Sequence, residues 1–94
     1  MAFSETSTRV RDFQLLLKKL GYFNEKDTAI FGEKTKEALL NFQADYKIIE
    51  RKDDEKAGIV EKETIEMLIE VLAKYYMKEE LDKMPELEEM LALN

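Results

Sequence analysis

The sequence predicts an all-α domain: three amphipathic helices followed by a C-terminal helical extension. Three observations carry this. Apolar side chains recur at three- and four-residue spacing in three separate segments, the period of a helix with one buried face. Only three glycines and one proline interrupt 94 residues, which favours helices joined by a small number of turns. The hydrophobic share of 45% suits one modest core and is too high for a disordered acidic tail.

The first helix is expected from Ser7 or Thr8, either of which can cap free N–H groups, to Leu20. Val10, Phe13, Leu16, Leu17 and Leu20 form its apolar stripe. Gly21 suits a left-handed stop, after which Tyr22 and Phe23 fold back toward the stripe. A loop over 24–28 leads to Ala29-Ile30-Phe31-Gly32. The second helix is expected over Glu33–Tyr46, with Ala38, Leu39, Phe42 and Tyr46 inward and Glu33 at the positive end of its dipole.

Ile48-Ile49 precede a charged run from Glu50 to Lys56 that holds no apolar residue and reads as a solvated loop. The third helix starts at Glu61 or Lys62 and buries Ile65, Leu68, Ile69 and Leu72; its pattern allows continuation through Tyr75, Tyr76 and Met77 toward Leu81. Pro85 disfavours helical geometry at Met84 and suits the first turn of a short fourth helix over Pro85–Leu93, with Leu87, Met90 and Leu91 on one side. The division expected is residues 1–76 as the helical domain and residues 77–94 as the extension, packed on it or projecting from it. The expected core joins Phe13, Leu17, Leu39, Phe42, Ile59 and Leu68.

Charge and composition narrow the function. The net charge is −6, from 21 acidic and 15 basic side chains. Basic clusters are interleaved with acids, as in Glu50-Arg51-Lys52-Asp53-Asp54-Glu55-Lys56, which argues against nucleic acid and anionic membranes. No apolar run reaches the length of a membrane span. The start, Met1 to Ser7, lacks the basic and apolar regions of a secretion signal. With neither His nor Cys, the commonest general base, thiol nucleophile and zinc ligands are missing. Carboxylates abound, yet none sits in an apolar and aromatic setting that would raise its pKa for acid catalysis. Asp53-Asp54-Glu55 lacks the Gly and alternating ligands of a calcium loop. The expectation is a non-catalytic binding module that uses no cofactor and no metal.

An internal repeat runs at an offset of 29 residues. Ile30 meets Ile59, Thr35 meets Thr64, Glu37 meets Glu66 and Leu39 meets Leu68, while Phe13-Gln14 echoes in Phe42-Gln43. Each unit is a short apolar segment, a tight turn and a helix with Thr in its first turn. One unit alone cannot bury its apolar side, so the units must pack together. Gln14 and Gln43 fit the role of satisfying loop backbone groups from the helix side, with hydrogen bonding to a ligand as the alternative. Thr35 and Thr64 fit support of the helix starts.

Three blocks then carry a resemblance: Val10, Phe13-Gln14, Leu17 and Leu20-Gly21-Tyr22; Ile30-Phe31-Gly32, Thr35, Ala38-Leu39 and Phe42-Gln43; and Gly58-Ile59-Val60, Thr64 and Leu68. Together, over about residues 8–72, they resemble the peptidoglycan-binding domain family, a three-helix module of bacterial cell-wall hydrolases and phage endolysins. The resemblance implies an orthogonal three-helix bundle that holds peptidoglycan or a muropeptide in a shallow groove. It points to Tyr22 and Asn24 after the first helix, and to Asn41, Asp45 and Tyr46 on and after the second, as ligand contacts. The chain departs from the family where Gly is usual, with Ala29, Lys47 and Glu61 in those places. The loop from Ile49 to Ala57 is longer than is typical, and residues 73–94 lie beyond the family core.

Two functions follow. As a wall module the chain would target an attached or partner protein to the bacterial wall, in the cell envelope or outside the cell. As a protein–protein interaction module, which would be cytoplasmic, it would use residues 77–94 to meet a partner or a second copy, with methionine supplying adaptability.

Overall fold

The computed structural model describes residues 8–51, 53–85 and 87. Among the described residues four helices follow in order: α1 Thr8–Lys19, α2 Glu33–Asp45, α3 Lys62–Tyr75 and the single turn α4 Lys78–Leu81. The all-α expectation holds: α1 and α2 stand within a residue of their expected bounds, and α3 starts where expected.

One cluster of buried side chains joins the elements. Phe13, Leu17, Leu39, Phe42 and Leu68 are all fully buried in it. Ile59 is not: it remains 38% exposed, and Val60 takes the inward position instead. The repeat partner behaves alike, with Ile30 exposed and Phe31 fully buried, its ring 6.4 Å from that of Phe13. Successive side chains of extended backbone point to opposite sides, so only the second residue of each Ile-apolar pair can enter the core. On α3 the buried face is Thr64, Ile65, Leu68, Val71 and Leu72, while Ile69 packs at its edge, half-buried.

The two glutamines hold the turns. Gln14 is fully buried; its carbonyl accepts the backbone N–H groups of Thr28 (3.0 Å) and Ala29 (3.2 Å), and its amide donates to the Ile30 carbonyl (3.0 Å) and the Thr35 hydroxyl (2.8 Å). Gln43 repeats the arrangement one unit later. It accepts from the Gly58 N–H (2.9 Å) and donates to the carbonyls of Lys56 (2.9 Å) and Ile59 (3.1 Å) and to the Thr64 hydroxyl (3.2 Å). The predicted role at the loop backbone is therefore the observed one. With their amides consumed inside the protein, neither glutamine is presented to a ligand.

Helix ends follow local chemistry. At the end of α1, Tyr22 N–H donates to the Leu17 carbonyl (2.9 Å) and Gly21 N–H to that of Lys18 (3.1 Å), with Gly21 at φ 84°. This is a Schellman stop, and it sends Tyr22 and Phe23 back against the core as expected. The same motif ends α2, with Ile48 bonded to Gln43 (2.9 Å) and Lys47 to Ala44 (3.2 Å), but here a lysine occupies the left-handed position at φ 57°. Tyr46 caps α2 rather than continuing it. Ala29 is also left-handed, at φ 65°, whereas Glu61 is extended at φ −114°. Of the three positions where the resemblance implies Gly, two therefore have backbone that favours it and one does not.

The third helix does not run on toward Leu81. Tyr76 and Met77 adopt extended backbone, and the Met77 N–H donates to the Glu80 carboxylate (3.4 Å) as α4 begins. A straight continuation would rise about 1.5 Å per residue away from the core. The break instead returns the chain, so that Met84 and Leu87 are buried in the common cluster. Most of the predicted helix Pro85–Leu93, including Met90 and Leu91, lies outside the described residues.

Candidate functional site

The loop that leaves α1 faces the middle of α2 across a cleft of about 200 Å³. Tyr22, Asn24 and Glu25 line one side, and Lys34, Glu37 and Asn41 the other, with Phe23 and Ala38 between them. The sequence puts them there for local reasons. The Schellman stop fixes Tyr22, buried Phe23 anchors the strand of loop behind it, and Asn24 follows exposed. Asn41 follows Glu37 by four residues and Lys34 by seven, which places all three on one outward face of α2.

Farther along the loop, Asp27 ties back to α1 through Arg11 (3.0 Å) and Lys18 (3.6 Å). The hydrogen bond from Arg11 holds the Asp27 carboxyl below its ordinary value. These pairs are solvent-exposed, so they steer the loop more than they stabilise it.

Tyr22 is the most constrained member of the cleft. Its ring meets Phe42 edge-on at 5.4 Å, and its hydroxyl donates to the Asp45 carboxylate at 2.6 Å. Burial, and then the bond to Asp45, push its pKa well above the ordinary phenol value, so the phenol remains a donor at any physiological pH. Asp45 thus sits behind Tyr22 and fixes its hydroxyl rather than lining the cleft.

The five residues singled out from the sequence therefore fall in two places. Tyr22, Asn24 and Asn41 share the cleft, and Asp45 supports Tyr22. Tyr46 lies elsewhere: it packs on Phe42 at 5.0 Å and lines a second cleft on the far side of Tyr22. Glu25, Lys34 and Glu37 belong to the first cleft and were not singled out, because charged residues on a helix face and in a loop look alike whether or not they border a groove. Neither Ala29 nor Glu61 lines either cleft.

Among the described residues, no group of three or more His, Cys, Asp or Glu is placed to hold a metal ion. No helix among them is long and apolar enough to cross a membrane.

Comparison with known proteins gives one family. The model described as "Putative peptidoglycan binding domain" matches residues 6–68, which is 63 of the 94 residues. No curated protein and no solved structure matches the chain. The family match spans the two glutamine-held repeat units and the cleft between the α1–α2 loop and α2, and the chain belongs to the peptidoglycan-binding domain family.

Proposed function

We propose that the chain is a non-catalytic cell-wall module that takes part of a muropeptide into the cleft between Asn24 and Asn41. The observation that carries this reading is the convergence of Tyr22, Asn24 and Asn41, from two elements, on one polar cleft of a peptidoglycan-binding domain. Carboxamides both donate and accept, as the N-acetyl groups of the wall sugars and the amide bonds of the stem peptide require. Lys34 and the pair Glu25 and Glu37 supply both signs of charge for the ionised groups of a stem peptide. At about 200 Å³ the cleft is smaller than the usual small-molecule pocket of roughly 300–1,000 Å³. It suits one sugar ring or a peptide end of a polymer that is mostly outside.

Such a module would raise the local concentration of an attached or partner protein at its wall substrate, and weak contacts suffice for that. The rival reading uses residues 77–94 as a protein contact surface. It has less apolar surface to offer, since Met84 and Leu87 are buried in the core.

The test is co-sedimentation with purified sacculi. The parent chain is expected to pellet with the wall and to release no muropeptides. Asn24→Ala and Asn41→Ala, both at exposed positions, are expected to weaken pelleting while leaving the melting temperature unchanged. A parent chain that remains in the supernatant with sacculi of several wall chemistries would defeat the reading.

A further inference from the structure

The geometry points to a second carbohydrate subsite: a tyrosine cleft beside the first, which takes a neighbouring sugar of the same glycan strand. This rests on the wall-binding reading and extends it.

All four tyrosines of the chain meet there. Tyr22, Tyr46, Tyr75 and Tyr76, with Lys19 and Leu20, line a cleft of about 390 Å³ at the C-terminal ends of α1, α2 and α3. Three of the rings are held. Tyr22 is fixed by Asp45 and Phe42, Tyr46 packs on Phe42, and the Tyr76 hydroxyl donates to the Lys19 carbonyl at 3.4 Å. Tyr75 is 71% exposed, so its ring is accessible to a ligand.

The chemistry selects a sugar. A pyranose has apolar C–H faces and hydroxyl edges, and a tyrosine has a flat apolar face and a polar tip, so the two surfaces match on both counts. One lining residue, Lys19, carries a charge, so a charged stem peptide finds few partners here, whereas a neutral sugar ring meets a lining rich in tyrosine. Held tyrosines also lose little conformational freedom on binding.

Continuity supplies the rest. Tyr22 lines both clefts, so the two adjoin at its ring and neighbouring units of one strand can reach both. Tyr75 and Tyr76 lie beyond residue 68, where the family match ends; as the last residue of α3 and its C-cap, they stand at the same cleft as Tyr22 and Tyr46. The subsite is thus an addition that this chain makes to the family's module.

The experiment titrates the whole chain with two soluble probes: a disaccharide-tetrapeptide monomer, and a peptide-free glycan strand of several disaccharides. The parent is expected to bind both, and Tyr75→Ala to bind the strand roughly fivefold more weakly while retaining the affinity for the monomer. Tyr75→Phe keeps the flat face and is expected to bind the strand as the parent does. Tyr75 is exposed, so its truncation leaves the core intact, and a melting curve checks this. If Tyr75→Ala loses both probes alike or neither, the subsite is overturned while the wall-binding reading stands. If Tyr75→Ala instead abolishes self-association of the chain with no loss of strand binding, the cleft belongs to a second copy and the proposal also falls. A parent chain that binds neither probe overturns the wall-binding reading and the subsite with it.

Discussion

Replacing Gln43 by Met isolates the device that holds the second repeat unit together. Methionine has nearly the length and volume of glutamine, so Gln43→Met leaves little cavity and removes only polar partners. Those partners are the Gly58 N–H, the Lys56 and Ile59 carbonyls and the Thr64 hydroxyl. The Gly58 N–H is buried, and stranding it costs about 1–3 kcal/mol. The two carbonyls are only partly buried and recover some hydration, and the hydroxyl can rotate, so together they add about 1–2 kcal/mol. The sum, about 2–5 kcal/mol, compares with a total stability of about 5–10 kcal/mol for a domain of this size. It corresponds to a fall in melting temperature of roughly 8–40 °C. Thermal and urea denaturation read the magnitude, and amide exchange at Gly58 reads the location: the parent amide is expected to be protected and the variant amide to exchange far faster. A variant that melts within about three degrees of the parent, or keeps Gly58 protected, would show that the glutamine does not hold the turn.

Two further outcomes follow from backbone and charge. Ala29→Gly and Lys47→Gly each relieve a left-handed residue, worth about 1–2 kcal/mol, against about 0.5–1 kcal/mol for the greater freedom of glycine in the unfolded chain. Each is therefore expected to raise the urea midpoint, while Glu61→Gly, at an extended position, gives no gain; a lower midpoint for either of the first two contradicts the strain argument. Tyr22 has a folded pKa above its unfolded value, so its contribution is complete below about pH 10 and is lost as pH rises toward the folded value. Denaturation between pH 8 and pH 11.5 is expected to show a steeper alkaline loss in the parent than in Tyr22→Phe, and parallel curves would remove Asp45 and burial as the cause.

Much of this protein was legible from residue order because its determinants are local or repeated. The helical period located α1, α2 and α3, Gly21 located the stop after α1, and the 29-residue offset tied Gln14 to Gln43 and Thr35 to Thr64 before any contact was known. The blocks between Val10 and Leu68 carried the family, and the match over residues 6–68 agrees. What periodicity could not decide were quantities set by neighbours distant in the chain. Ile59 and Val60 are equally apolar, and only the direction of an extended segment against the core decides that Val60 is buried. Ala29 and Lys47 are unremarkable letters until the turns around the glutamines force them to positive φ. The end of α3 at Tyr75 depends on the burial of Met84 and Leu87, a gain that appears only when the chain turns back. The grouping of Asn24 with Asn41, and of Tyr75 with Tyr22, likewise belongs to tertiary structure. Sequence specifies which side chains can bond or stack, but a cleft is the space between elements, and its walls exist only once those elements have packed.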